Sequence, residues 1–291
     1  MISEYHKPVL LKEVIELLDP QNDETIVDAT FGFGGHSKAL LERIGPKGRL
    51  IAIEQDKEIL ELSRKEFDDS RITFVNDNFS NLASILRKAK VSKIDKILFD
   101  LGISSYHFDE LDRGFSFKDE QLDMRLNREG GETAADLVNT LPEEDLANML
   151  FQNAGEFLSR RIARIIVEAR RLKKIESAQQ LNEIIGKQVR KRGKINPATK
   201  TFQALRIAVN KELEVIISTL PTAINLLNEG GRVGVISFHS GEDKIVKETF
   251  KKYKAENTIE ILTKKPLVAE YEEIKLNPRA RSAKLRVAKK I

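Results

Sequence analysis

Short β-branched runs alternate with amphipathic helical stretches along the first third of the chain. Ile26-Val27 leads into Asp28, a glycine-rich turn follows, and the apolar spacing predicts a helix to about Ile44. Leu50-Ile51-Ala52-Ile53 ends at Glu54, with a helical stretch from Lys57 to Phe67 behind it. Ile72 to Val75 reads as a third strand, Leu82 to Lys90 as a helix, and Lys96 to Phe99 as a fourth strand ending at Asp100. Strands separated by helices in this way predict an α/β fold with a parallel, doubly wound, Rossmann-like sheet. Ahead of them, Met1 to Leu18 carries charges at Glu4, Lys7, Lys12, Glu13 and Glu16 and reads as an amphipathic helix, not a signal peptide.

After Ser105 the alternation stops, and helical patterning takes over. Pro142 to Phe151 opens with a proline at a first-turn position, then Glu143, Glu144 and Asp145, which suit the positive end of a helix dipole. Phe157 to Leu172 places Ile162, Ile165, Ile166 and Ala169 on one face, the spacing of a buried stripe. Strand character returns at Val233 to Phe238, behind an expected turn at Asn228-Glu229-Gly230-Gly231. The pattern predicts one domain built from residues 1–107 and 212–291, interrupted by an all-helical substrate-binding domain at 108–211.

With 41% apolar and 32% charged residues the chain has material for a core beneath a well-solvated surface. It contains no cysteine, which removes disulfides, thiolate zinc sites and cysteine nucleophiles together. No apolar run approaches the roughly 20 residues needed to span a bilayer, so a soluble, cytoplasmic protein is expected. The net charge of +4 is modest, but its distribution is uneven. Arg160, Arg161, Arg164, Arg170, Arg171, Lys173 and Lys174 face a single acid, Glu168. Lys187, Arg190, Lys191, Arg192 and Lys194 form a second cluster, and Arg279, Arg281, Lys284 and Arg286 a third. Each can be a solvated helix face; together they suggest a surface for nucleic-acid phosphates.

The first strand meets the first helix through Asp28-Ala29-Thr30-Phe31-Gly32-Phe33-Gly34-Gly35-His36. Glycines there let the backbone approach a ligand, and Glu54, at the end of the second strand, is placed to accept both hydroxyls of a ribose. A nucleoside-containing cofactor follows. Ser37 stands where a dinucleotide fingerprint needs its third glycine, and no Walker lysine follows. Asp28 would repel a pyrophosphate but suits the ammonium of a methionine moiety, which favours S-adenosylmethionine over NAD.

Asp100 is followed by Leu101-Gly102-Ile103-Ser104-Ser105 at the carboxyl edge of the sheet, where doubly wound folds bind their ligands. Asp100 and Ser104 are candidate catalytic residues, able to accept hydrogen bonds from an amine whose lone pair must be held in line with a methyl group. A structural role for Asp100, capping the loop, is the alternative. Arg113-Gly114-Phe115-Ser116-Phe117 and Leu122-Asp123-Met124-Arg125 set arginines beside aromatics, a pairing that can stack a base and hold a phosphate. Arg113, Phe115 and Arg125 are therefore candidate substrate contacts, with packing between domains as the alternative for the aromatics. His239, just past the fifth strand, is either a further substrate contact or a hydrogen-bonded loop residue. The four histidines, His6, His36, His107 and His239, show no ligand-pair spacing, so no metal is expected.

Seven stretches, taken together, resemble one family: His6 to Leu11, Asp28 to Ser37, Asp100 to Ser105, Arg113 to Arg125, Pro197 to Asn210, Ser237 to Asp243 and Asn277 to Arg286. This family is the bacterial small-subunit (16S) ribosomal RNA (cytosine-N(4)-)-methyltransferases, and the resemblance covers roughly residues 5 to 290. It implies a methyltransferase sheet with a helical insertion, S-adenosylmethionine as cofactor, and 16S ribosomal RNA or the small ribosomal subunit as partner. Carried over position by position, it implies cofactor contacts at Gly34, Gly35, His36, Glu54, Phe79, Asp100 and His107. The chain departs from the family pattern in four places. Glu54 stands for the usual aspartate, His107 for a common glutamine, Gly241 for a leucine and Asn196 for a histidine. A small-molecule methyltransferase and a non-catalytic ribosome-assembly factor are the competing functions.

Overall fold

A computed structural model describes residues 7–104, 106–109, 112–189 and 195–291. His6, Ser105 and the basic residues Arg190, Lys191, Arg192 and Lys194 lie outside the described residues. The chain divides into two compact units, one of residues 1–103 with 214–291 and the other of residues 104–213.

In the first unit, α1 (Leu11–Leu18) precedes the βα alternation β1 (Thr25–Asp28), α2 (Gly35–Leu41), β2 (Arg49–Glu54), α3 (Lys57–Ser63), β3 (Ile72–Asn76), α4 (Leu82–Lys88) and β4 (Ile94–Asp100). After the second unit come α11 (Glu212–Leu226), β5 (Leu227–Ser237), α12 (Ser240–Ala255), β6 (Ile259–Ile261), α13 (Tyr271–Leu276) and β7 (Lys284–Lys290). The strands form one seven-stranded sheet in the order β3-β2-β1-β4-β5-β7-β6. Consecutive strand residues face opposite sides, and each side has its own cover. Val27, Ile51, Ile97 and Val233 pack with α4, α11 and α12, whereas Ile26, Leu50, Leu98 and Ile236 pack with α1 and α2. Burial on both faces explains why these strands read as continuous apolar runs.

Three features depart from the sequence expectation. The sheet is mixed, because β7 runs antiparallel to both β5 and β6. β6 is only three residues long, and β7 hides a buried Leu285-Arg286-Val287-Ala288 core inside what reads as a basic tail. Asn228 to Gly231 is not a turn before β5 but an irregular stretch within it, where the β4 pairing shifts between Ile94 and Lys96. The third basic cluster is also partly internal, since Arg286 is buried and its Nε lies 2.7 Å from Asp243 on α12.

The described residues of the second unit hold helices and no strands: α5 (Tyr106–Asp109), α6 (Ala134–Thr140), α7 (Glu143–Ala154), α8 (Ser159–Leu172), α9 (Ala178–Gln188) and α10 (Thr199–Asn210). Pro142 is the residue that precedes α7, one place earlier than expected. On α8, Ile162, Ile165 and Ile166 of the predicted apolar stripe are buried and Ala169 is half-buried, while Arg160, Arg161 and Arg164 stay exposed. No described helix is long and apolar enough to cross a membrane.

Candidate active site at the sheet edge

The strand order reverses direction between β1 and β4, so the crevice beyond their carboxyl ends is where a doubly wound sheet takes a ligand. Three carboxylates close the strands at that edge: Asp28 on β1, Glu54 on β2 and Asp100 on β4. Asp28 accepts the Ser37 hydroxyl at 2.6 Å and the Thr30 N–H at 3.2 Å. Thr30 in turn accepts the Asp100 N–H at 2.6 Å, tying the glycine-rich turn to the end of β4. His36 reaches the Val9 carbonyl through Nε2 at 3.0 Å and turns Nδ1 toward Asp100 Oδ2 at 3.6 Å.

Gly34 is required by its surroundings. Its φ is +73°, and a Cβ there would lie 2.4 Å from the Phe67 ring and 2.7 Å from Phe31. Phe31, Phe67 and Phe74 form a cluster of tilted and edge-on rings beneath the turn, with centroids 5.4 to 6.1 Å apart. Glu54 closes the turn from the other side, Oε2 accepting the Gly32 N–H at 2.9 Å and Oε1 the Asp56 N–H at 2.8 Å. The added methylene of glutamate over aspartate lets this carboxylate reach back to the turn. Phe79 meets the ring of Phe99, the residue before Asp100, edge-on at 5.4 Å.

Buried together, these acids resist ionisation. Burial pushes Asp28 up to about 6, against the lowering effect of the Ser37 and Thr30 hydrogen bonds. Burial raises Glu54 to about 7, partly offset by the Asp56 and Gly32 N–H groups and reinforced by the charges of Asp56 and Asp28. Asp100 rises well above the usual carboxylate range through burial, then through the negative charges of Asp28 and Glu242. Among the described residues, Asp100 Oδ1 is buried and has no hydrogen-bond partner. A set of desolvated carboxylates with an unsatisfied oxygen is suited to a cation.

His239 has a structural task. Its Nδ1 accepts the Glu242 N–H at 3.4 Å, while Glu242 Oε2 accepts the N–H groups of Phe238 at 2.8 Å and His239 at 3.2 Å. This reciprocal box caps α12, so His239 takes the hydrogen-bonded role that was one of its two expected readings and holds Glu242. Thr30, Ser37 and Glu242 were not anticipated. The signal for Glu242 was present as an acid three residues after His239, the residue that precedes α12.

The other candidates belong to the second unit. The Ser104 hydroxyl accepts the Tyr106 N–H at 3.3 Å, and the ring of buried His107 lies edge-on to Phe115 at 5.1 Å. Arg113 is buried, its guanidinium donating to the carbonyls of Arg125 and Leu126, and Phe115 is 5% exposed. Both are fastened inside the unit, the packing arrangement that was the alternative for the aromatics. Gly114, at φ +88°, allows this close packing, since a Cβ would lie 2.8 Å from the Leu122 backbone. Arg125 pairs with Asp123 through Nε at 2.7 Å and Nη2 at 2.9 Å. Although burial opposes it, this pairing holds the Asp123 carboxyl below its ordinary value. Asn210 fixes the same loop to α10, accepting the Leu126 N–H at 2.9 Å and donating to the Met124 carbonyl at 2.8 Å. Phe117 packs edge-on against Phe202 of α10 at 4.7 Å. Asn196 donates to Asn182 at 2.9 Å and accepts the Ala198 N–H at 2.8 Å, serving as a loop anchor.

The family model described as the MraW methylase family matches residues 3–291. A protein of Clostridium botulinum (strain Kyoto / Type A2) named ribosomal RNA small subunit methyltransferase H is 43% identical over 307 residues, covering 98% of this chain and 99% of its own. A protein of the same name from Caldicellulosiruptor saccharolyticus is 44% identical, again over 98% of this chain and 99% of its own. Among solved structures, an rRNA methylase from Streptococcus thermophilus aligns over 98% of both chains, with a TM-score of 0.48 and 10% identity.

Proposed function

The chain belongs to the MraW methylase family, and from that premise we propose that it transfers a methyl group from S-adenosylmethionine to the exocyclic N(4) amine of a cytidine in 16S ribosomal RNA, in the cytoplasm. The observation that carries the reading is the edge cluster of Asp28, Glu54 and Asp100 around the glycine turn. S-adenosylmethionine carries an ammonium and a sulfonium, the charges that a group of reluctant carboxylates with an open Asp100 oxygen would hold.

When bound, the cofactor supplies an electrophilic methyl group on a positively charged sulfur. Asp28, braced by Ser37 and Thr30, faces the ammonium. Each Glu54 oxygen already accepts one N–H group and keeps a second lone pair for a ribose hydroxyl. Gly34 and Gly35 let the turn approach, His36 steadies Asp100, and Phe79 flanks the site. The cytosine amine is a poor nucleophile because its lone pair is delocalised into the ring. Asp100 takes hydrogen bonds from its N–H groups so that the lone pair is free to attack. The cofactor would supply the methyl group and keep the electrons of its broken C–S bond, and Asp100 would take the extra proton of the methylated amine. Most of the rate then comes from alignment in a desolvated site and not from a covalent intermediate. His107, Arg113, Phe115 and Arg125 shape the substrate loop of the helical unit, whose exposed arginines attract RNA phosphates.

The test offers labelled S-adenosylmethionine to the wild type and to Asp100→Asn with small ribosomal subunits, naked ribosomal RNA, or no RNA. Label is expected in RNA with the wild type. The variant should bind the cofactor but turn over at least about a hundredfold more slowly, as when a positioned acceptor is lost. Near-normal turnover by the variant would remove Asp100 from the chemistry, and absence of label in RNA would favour a small-molecule substrate.

A further inference from the structure

Phe157 is 84% exposed and Phe151 is 52% exposed. Their rings are 6.3 Å apart and steeply tilted, at 68°. The pair is held in a built environment. α7 ends at Gly155, whose φ is +59°, and the short link to α8 is fixed by Glu156, which accepts the Leu158 N–H at 2.8 Å through its side chain. Lys200, on α10, donates to the Gly155 carbonyl at 2.8 Å and sets its ammonium 5.1 Å above the Phe157 ring. The exposed Arg160, on the first turn of α8, is oriented by the Asn148 side chain at 2.8 Å.

We propose that Phe151 and Phe157 form a stacking platform for an unpaired base of the RNA strand, outside the reacting nucleotide, with Lys200 and Arg160 engaging the adjoining phosphates. The proposal rests on the RNA-methylating function above. A base has an apolar face to lay on an exposed ring and a phosphate on either side, so it matches aromatic rings set among cations. Farther along α8, Arg164 and Arg171, and then Lys173 and Lys174 just beyond its end, continue the basic surface, with Glu168 as the opposing charge on that helix. Arg164 also lies 3.7 Å from Glu143 on α7, which makes it a weaker phosphate contact than Arg160.

The chain has no tryptophan, so Phe157→Trp introduces a single reporter whose emission is quenched when a base stacks on it. The full-length variant would be titrated with a fluorescein-labelled, single-stranded RNA oligonucleotide, following tryptophan emission and RNA anisotropy together. Quenching that saturates with the anisotropy is expected. The double variant F151A/F157A should weaken RNA binding roughly tenfold, within the range for losing a stacked base. It should leave the melting temperature and cofactor affinity unchanged, and Phe157→Trp should restore the RNA affinity. Binding by anisotropy with no quenching, and equal affinity in the double variant, would overturn the platform while leaving the RNA function standing. No RNA binding by the wild type even at low salt would instead remove the function on which the platform rests. If sedimentation showed the double variant dissociating an oligomer with RNA affinity intact, the rings would join copies of the chain, and the proposal would fall.

Discussion

Cofactor binding should be strongly pH-dependent, because the site asks buried carboxylates to ionise. Asp28 titrates at about 6 and Glu54 at about 7, both raised chiefly by burial. In the free protein the sign runs against stability at neutral pH. An acid whose folded pKa is raised binds more protons folded than unfolded, so stability is lost as pH climbs from its ordinary value to its folded one. An ammonium beside Asp28 and ribose hydroxyls donating to Glu54 each favour the ionised carboxylate, which reverses the preference and expels the protons. At pH 6.5, Asp28 holds about 0.2 and Glu54 about 0.8 of a proton, so binding should release about one proton beyond any from Asp100. That contribution should be nearly gone at pH 8.5. The same linkage weakens binding by about 4-fold through Asp28 and about 30-fold through Glu54 at pH 5.5, together on the order of a hundredfold relative to pH 8. Titration calorimetry in two buffers of different ionisation heat measures both the affinity and the proton count. Glu54→Gln should flatten the profile, leaving only the roughly fourfold part from Asp28. An affinity constant within twofold from pH 5.5 to 8, with no proton release, would refute the claim that these carboxylates meet the cofactor in their ionised form.

Two further substitutions separate positioning from chemistry. Gly34→Ala puts a Cβ against Phe67 in a left-handed backbone, which should cost about 2–4 kcal/mol and lower the thermal midpoint by roughly 5–10 °C, read by calorimetry. An unchanged midpoint would mean the three-ring cluster beneath the turn is loose. His239→Ala should lose about 1 kcal/mol as a helix cap goes, while His239→Asn keeps the cap. If His239 acts through Glu242 alone, the asparagine variant retains near-wild-type kcat/KM. A loss of more than about tenfold in that variant would mark His239 as a substrate contact as well.

The carboxylate edge was legible because each acid directly follows a short apolar run of strand length. What the sequence did not disclose was the tail of the sheet. Ile259-Glu260-Ile261 is too short to signal a strand, and the lysines and arginines of 284–290 mask four consecutive buried positions. The use of Arg113 was hidden for a different reason. An arginine beside aromatics looks the same whether its guanidinium serves an RNA phosphate or, as here, two backbone carbonyls twelve and thirteen residues away. His239 read as an isolated loop histidine because serine, threonine, aspartate and asparagine are the familiar caps. Only the acid at Glu242 betrayed the box. Ser37 argued against a dinucleotide, yet its hydrogen bond to Asp28 depends on the turn's path and could not be read from spacing.

The most direct test of the central claim is the identity of the methylated nucleoside. Small ribosomal subunits lacking the modification would be incubated with the enzyme and S-adenosylmethionine, and their RNA digested to nucleosides for mass spectrometry. The account predicts one new species, N(4)-methylcytidine, formed by the wild type and nearly absent with Asp100→Asn. Methyl label in a different nucleoside, or in none while cofactor binding is intact, would contradict it.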